Sequence, residues 1–192
     1  MDALELLLSR ESALKLAAPG PSAAELQRIF DAAVRAPDHG RLRPWQFVVI
    51  GSDQRAGFGR VMADSLLRRD PAASEAVLEK ERAKAFRAPV IVVVAAKLRR
   101  GHSIPEIEQI ASAASAAQTI VLAAPALGYG AVWKTGAPAY DPEVRVALGL
   151  APDDEIIGFI YIGTNVGGSS SFPRPQARDF VSDWAGDGGG AI

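Results

Sequence analysis

The chain has 192 residues, 48% of them hydrophobic and 22% charged, with a formal net charge of −1. These figures fit one globular domain with a substantial core, and exclude a disordered chain or an electrostatic grip on nucleic acid. With no cysteine and two histidines, disulfides, thiolate metal sites and cysteine nucleophiles are excluded and a transition-metal centre has few ligands.

The opening Met1-Asp2-Ala3-Leu4-Glu5-Leu6 carries acids, unlike a secretory leader. Leu4, Leu7 and Leu8 have helical spacing and predict a first helix ending near Ser9-Arg10. Ser22-Ala23-Ala24-Glu25 is a capping box, and the helix it opens places Leu26, Ile29, Phe30 and Ala33 on one face before Pro37 stops it. Trp45 to Ile50 then reads as a strand. Asp53 to Arg69 and Pro71 to Phe86 read as amphipathic helices, the second with Pro71 at its first position. Pro89 to Ala96 is apolar on both faces and predicts a buried central strand.

Pro105-Glu106-Ile107-Glu108 starts the longest predicted helix, to about Ala124, with its acids in the first turn and Pro125 kinking or ending it. Its run of small residues from Ala111 to Ala117 fits either a tightly packed core helix or a helix at the centre of a dimer. The stretch from Ile110 to Leu127 is interrupted by Ser112, Ser115, Gln118, Thr119 and Pro125, so no membrane span is expected and a cytoplasmic protein is. Tyr129 to Trp133 is a short strand, Asp141-Pro142-Glu143 caps a helix ending at Gly149, and Glu155 to Gly163 is another buried strand. Residues 1–192 then form one α+β domain, a sandwich of helices around a mixed central sheet, with a flexible tail from about 184.

The motifs exclude as much as they offer. Neither Gly-x-Gly-x-x-Gly nor the Walker phosphate loop occurs, and no Gly-x-Ser-x-Gly elbow supports a serine hydrolase. Asp38 beside His39 is no evidence of a triad. The side chains are poorly equipped for difficult chemistry on their own, which points to a bound cofactor. The strongest candidate segment is Arg35-Ala36-Pro37-Asp38-His39-Gly40-Arg41-Leu42-Arg43-Pro44-Trp45, a short connection held between prolines next to a strand. Lys97, Arg99 and Arg100 could read an adenosine phosphate, but a solvated strand end is the better reading.

With Arg10-Glu11-Ser12 before it and Gly128-Tyr129-Gly130-Ala131-Val132-Trp133-Lys134-Thr135-Gly136 after it, this segment resembles the nitroreductase family of flavin enzymes, in particular its short YdjA-type members. The resemblance runs from Met1 to about Asp183 in order and spacing. It implies the nitroreductase fold, a homodimer with the long helix at its interface, and FMN with NADH or NADPH as donor. The implied activity is transfer of hydride through flavin to nitroaromatics, quinones or similar acceptors by a ping-pong cycle. Open beside it is a flavin protein of the same fold with another redox chemistry or little turnover.

Arg10, Glu11 and Ser12 fall on the family element for the flavin phosphate and ribityl chain, with Glu11 where a second Arg is common and Lys15 where an Arg is common. A guanidinium and a hydroxyl suit a dianion. Arg35 and His39 correspond to groups that reach the flavin bound mainly by the other subunit, and Trp133, Lys134 and Thr135 to further flavin contacts, with Lys134 replacing an Arg. The segment from Ala123 to Gly128 falls on a nicotinamide contact, where Pro125 alters the backbone, and Arg43 replaces the usual Gln before Pro-Trp. No side chain stands out as a general acid, leaving product protonation to solvent or to His39.

Overall fold

A strand that is apolar at every position has to be covered on both faces, and Val90–Ala96 sets the layers of the protein for that reason. The computed structural model describes residues 2–168, 173–184 and 186. In chain order the elements are α1 (Ala3–Ser9), β1 (Leu16–Ala17), α2 (Ala23–Ala33), β2 (Trp45–Ile50), α3 (Arg55–Arg69) and α4 (Glu75–Ala83). There follow β3 (Val90–Ala96), α5 (Glu106–Ala126), β4 (Gly130–Lys134), α6 (Pro142–Ala147) and β5 (Glu155–Asn165), with 3-10 turns between some of them.

On one face of β3, Val90, Val92 and Val94 pack with Ile29 and Ala33 of α2 and Ala116, Ala117 and Ile120 of α5. On the other, Ile91, Val93 and Ala95 pack with Phe58 and Met62 of α3 and Val144 of α6. The α+β sandwich is therefore as the sequence predicts. Helix α5 buries the face that carries Ala113, Ala116, Ala117, Ile120 and Ala124, while Ile107 and Ala111 are exposed.

Strand β5 is the hub of the sheet. It pairs with β3 through Ile162 opposite Val90, and with β4 through Ile162 opposite Ala131, so those strands flank it. Its last residues pair with β1, Leu16 opposite Asn165 and Ala17 opposite Thr164. β2 lies on the far side of β3. Every described pairing is antiparallel, which corrects the expected mixed sheet. The cause is the connections: helices α3 and α4 both lie between β2 and β3, returning the chain to the end it left. β3 and β4 run the same way, but β5 separates them.

Both N-terminal helices open on complete capping boxes, Asp2 with Glu5 and Ser22 with Glu25. The second predicted amphipathic helix starts later than Pro71. Asp70 turns its carboxylate to the Ala72 N–H, at 3.2 Å, which favours a turn, and α4 begins at Glu75 after Ser74. Pro125 lies in the last turn of α5, which ends at Ala126. β1 has no counterpart in the sequence reading. The tail expected to be flexible lies outside the described residues except for Trp184 and Gly186. Among the described residues no helix is long and apolar enough to cross a membrane.

Candidate functional site

The chain after α1 runs along the open edge of β4. Ala13 N–H donates to the Ala131 carbonyl at 3.0 Å, so Ala131 faces away from β5. Backbone groups alternate along an antiparallel strand, and Trp133, two residues on, presents its own N–H and C=O on the same open edge. Gly130 makes this approach possible: a Cβ there would lie 2.8 Å from Leu16 Cδ2 and 2.9 Å from Asn165 Cβ.

Several concavities result, and two of them lie against β4. The larger, about 580 Å³, is lined by Ser12, Lys15, Arg87 and Lys134 together with Leu14, Leu16, Phe86, Val132 and Tyr161. Its volume is within the ordinary range for a small-molecule site. Cations from the loop after α1, the connection before β3 and the end of β4 converge there, and Ser12 adds a hydroxyl. Tyr161 sits opposite Val132 in the sheet and is buried. Burial pushes its phenol up to about 12, with Arg87 opposing the shift. The cleft is therefore cationic at its rim and neutral at its floor.

The smaller concavity, about 230 Å³, lies where α1, the end of α5 and β4 meet, and is lined by Arg10, Glu11, Leu122, Pro125, Tyr129 and Gly130 among others. The Arg10 carbonyl accepts from Arg174 Nη1 at 2.7 Å. Tyr129 donates its hydroxyl to Glu25 Oε2 at 2.9 Å, and that hydrogen bond raises the Tyr129 pKa. Glu25 is held below the usual carboxylate range, by the Ser22 hydroxyl first, then the Ser22 backbone and Tyr129.

Trp133 and Lys134 point to opposite faces of the sheet. Lys134 reaches the large cleft, whereas the Trp133 ring packs on the α5 side. A register shift where Val94 pairs with Gly158 and Ala95 with Ile156 leaves Ile157 as the extra residue of a bulge. Its carbonyl accepts from Trp133 Nε1 at 3.2 Å. Gly158 makes room, since a Cβ there would lie 2.1 Å from Nε1. The indole is thus part of the sheet, and what Trp133 offers at the open edge is backbone. Thr135 follows β4 and is exposed.

Arg35 and His39 are elsewhere. They lie on the connection from α2 to β2, against the start of α5, and line neither concavity. This connection is firmly held. Asp38 accepts from the Leu42 and Arg43 N–H groups at 3.0 and 2.8 Å. Ser112 Oγ donates to the Pro37 carbonyl at 2.6 Å, and His39 Nδ1 lies 2.6 Å from Glu108 Oε2. Arg41 and Arg43 have positive φ, 56° and 51°, a conformation that costs a non-glycine residue about 1 kcal/mol and needs such anchoring. Gln109, buried on α5, accepts from Arg99 N–H and donates to the Arg99 and Ile104 carbonyls, fixing the neighbouring loop. Lys97 and Arg99 are exposed, in keeping with a solvated strand end, whereas Arg100 is held by Glu106, Asp153 and Glu155.

The structure thus joins Ser12 to Lys134 at the large cleft, keeps Arg10, Glu11 and Ser12 together along a further concavity beside Arg174, and leaves Arg35 and His39 on a separate surface. Arg87, Phe86 and Tyr161 had no signal in the sequence beyond an exposed basic turn and a strand position.

Comparison with known proteins identifies the family and the fold. The model of the Nitroreductase family matches residues 7–164. The chain is 40% identical over 183 residues to a protein of Escherichia coli (strain K12) named "Putative NAD(P)H nitroreductase YdjA", covering 95% of this chain and 99% of that one. It is 38% identical over 184 residues to a Haemophilus influenzae protein named "Putative NAD(P)H nitroreductase", again covering 95% and 99%. Among solved structures, a nitroreductase-like family protein of Bacillus cereus superposes with a TM-score of 0.83 at 20% identity, covering 97% of each chain. A Desulfovibrio desulfuricans structure described as a "putative nitroreductase in complex with fmn" superposes with a TM-score of 0.72 at 25% identity, covering 94% of this chain and 95% of that one.

Proposed function

Because the chain belongs to the nitroreductase family, we propose that it is an FMN-dependent oxidoreductase of residues 1–192 that takes hydride from NADH or NADPH. It passes the electrons to a nitroaromatic, a quinone or a similar electron-poor acceptor. The observation that carries this reading is the cationic cleft on the open edge of β4, where Ser12 and Lys134, far apart in sequence, line one surface. The residues present fit FMN: Lys15, Arg87 and Lys134 suit its phosphate, and the Trp133 edge and the Ser12 hydroxyl offer neutral hydrogen-bonding partners. FMN, when bound, supplies the hydride relay, with donor and acceptor using the same place in turn as a ping-pong cycle requires.

The chain's own contribution is binding, orientation and charge. Arg10 and Glu11 border the smaller concavity beside Pro125, the segment proposed to meet the nicotinamide, and with Ser12 they are proposed to reach the flavin phosphate and ribityl chain. Thr135 extends the Lys134 end of the site. Cations at the cleft favour a negatively charged cofactor and lose part of their effect in salt. Arg35 and His39 take part from a second copy of the chain in a homodimer. Supporting this are their absence from the lining of their own chain's cleft and the exposed apolar groups Ile107 on α5 and Leu4, Leu7 and Leu8 on α1. A cytoplasmic location is part of the same proposal, since it would supply the nicotinamide donor.

The test is an absorption spectrum of the purified protein before and after anaerobic addition of each nicotinamide nucleotide. A flavin band that bleaches, and returns when a quinone or nitroaromatic is added, is the expected result. Failure to take up added FMN would sink the proposal. A retained flavin that neither nucleotide bleaches would leave a binding protein without this activity.

A further inference from the structure

His39 and Glu108 meet in a geometry that bears on which ring nitrogen carries the proton. His39 Nδ1 lies 2.6 Å from Glu108 Oε2. An ionised carboxylate only accepts hydrogen bonds, so the hydrogen in that contact belongs to Nδ1. The chain's other histidine is held the opposite way. The Ile104 N–H reaches His102 Nδ1 at 3.0 Å. A backbone N–H only donates, so His102 Nδ1 carries a lone pair and its neutral ring carries its proton on Nε2.

We infer that Glu108 is a positioning residue for His39: it selects the Nδ1–H tautomer and leaves Nε2 as the atom offered to a ligand. Both partners are anchored. Glu108 stands in the first turn of α5, its N–H donating to the Pro105 carbonyl at 3.1 Å. One turn on, Ser112 holds the Pro37 carbonyl. Asp38 is engaged with the N–H groups of Leu42 and Arg43, so its carboxylate serves the loop backbone and Glu108 serves the ring. The His39 side chain is 65% exposed, which leaves the far side of the ring open.

The consequence is chemical. A neutral His39 presents an acceptor at Nε2, matched to a hydroxyl or N–H of the ligand. Glu108 holds that acceptor in place. This part rests on the reading of His39 as a group that touches the bound flavin.

The test separates the tautomer from the flavin. Long-range 1H–15N spectra of the imidazoles, recorded without flavin at the alkaline end of the titration, contain signals from two histidines, assigned with His102→Gln. Expected are Nδ1–H for His39 and Nε2–H for His102. Glu108→Gln keeps an accepting oxygen and should retain the His39 tautomer, whereas Glu108→Ala should release it. FMN titration of the same proteins should show about five- to tenfold weaker binding for Glu108→Ala and a change within about twofold for Glu108→Gln. Nε2–H at His39 in the unaltered protein, or an unchanged tautomer in Glu108→Ala, overturns the inference. So does unchanged FMN affinity in Glu108→Ala when His39→Ala binds poorly. If His39→Ala itself binds FMN normally, the flavin role of His39 fails, whatever the tautomer.

Discussion

The cleft beside β4 and the connection that carries His39 solve opposite problems. The cleft is concave and assembled from Ser12 and Lys15, Arg87, Lys134 and Tyr161, which the sheet brings together. The His39 connection is a single stretch of chain, exposed and pinned by Asp38, Glu108 and Ser112, with little volume of its own. One region is a container formed by topology. The other is a projection formed by local bonds, and under the proposed dimer it acts on a second copy of the chain. The difference teaches that binding groups need not share a pocket within one copy to share a site.

The comparison breaks most severely at Gly163, which keeps β1 against β5. A Cβ there would lie 2.6 Å from Pro89 Cδ and 2.8 Å from the Ala17 carbonyl. Gly163→Ala should cost about 2–4 kcal/mol in chemical denaturation. A loss below about 0.5 kcal/mol would mean that the strap gives way easily and the cleft is not rigid.

Subunit mixing sharpens it further. Arg87→Ala or Lys134→Ala should weaken FMN binding about tenfold at low salt, and less at high salt. Arg35→Ala should weaken it as well. In a mixture of Lys134→Ala and Arg35→Ala chains allowed to exchange, about a quarter of the sites should regain full affinity, since one site of each heterodimer has both groups intact. No recovery in dimers shown to have exchanged would place Arg35 outside the partner's site.

The smallest effect is a titration. Tyr161 has a folded pKa, about 12, above its unfolded value. Its contribution to stability is therefore complete below the unfolded pKa, near 10, and is lost as pH rises from there through the folded value. Tyrosinate absorbance should show a late phase that Tyr161→Phe removes. A phase completed near pH 10 would mean that the floor of the cleft is wet.

How far these regions could be read from sequence follows from how each is made. The bounds of β2, the Ser22–Glu25 box and the prolines around Asp38 depend on neighbours in the chain, and the structure has them as expected. β1 is two residues long and exists because Asn165 and Thr164 lie opposite it. Antiparallel pairing throughout depends on the end of the sheet at which each connection re-enters it, which periodicity does not show. At the site, Ser12, His39 and Lys134 stood out through their motifs. Arg87 and Tyr161 join the cleft only through β5, and Glu108 meets His39 across a separation of 69 residues. Trp133 shows the reverse case: its motif was visible, but its ring is taken up by the Ile157 carbonyl that a bulge sets free.

The position of β5 has a consequence for how the chain is made. A ribosome delivers α1 through α6 before it delivers the strand that β1, β3 and β4 pair with. Until Asn165 has emerged, β3 has β2 on one side and an unpaired apolar edge on the other, from Val90 to Ala96. An edge of that kind recruits other chains. Truncation before β5, or a stalled ribosome in that interval, should therefore yield aggregates instead of a smaller folded protein, and the last strand synthesised acts as the lock on all that precede it.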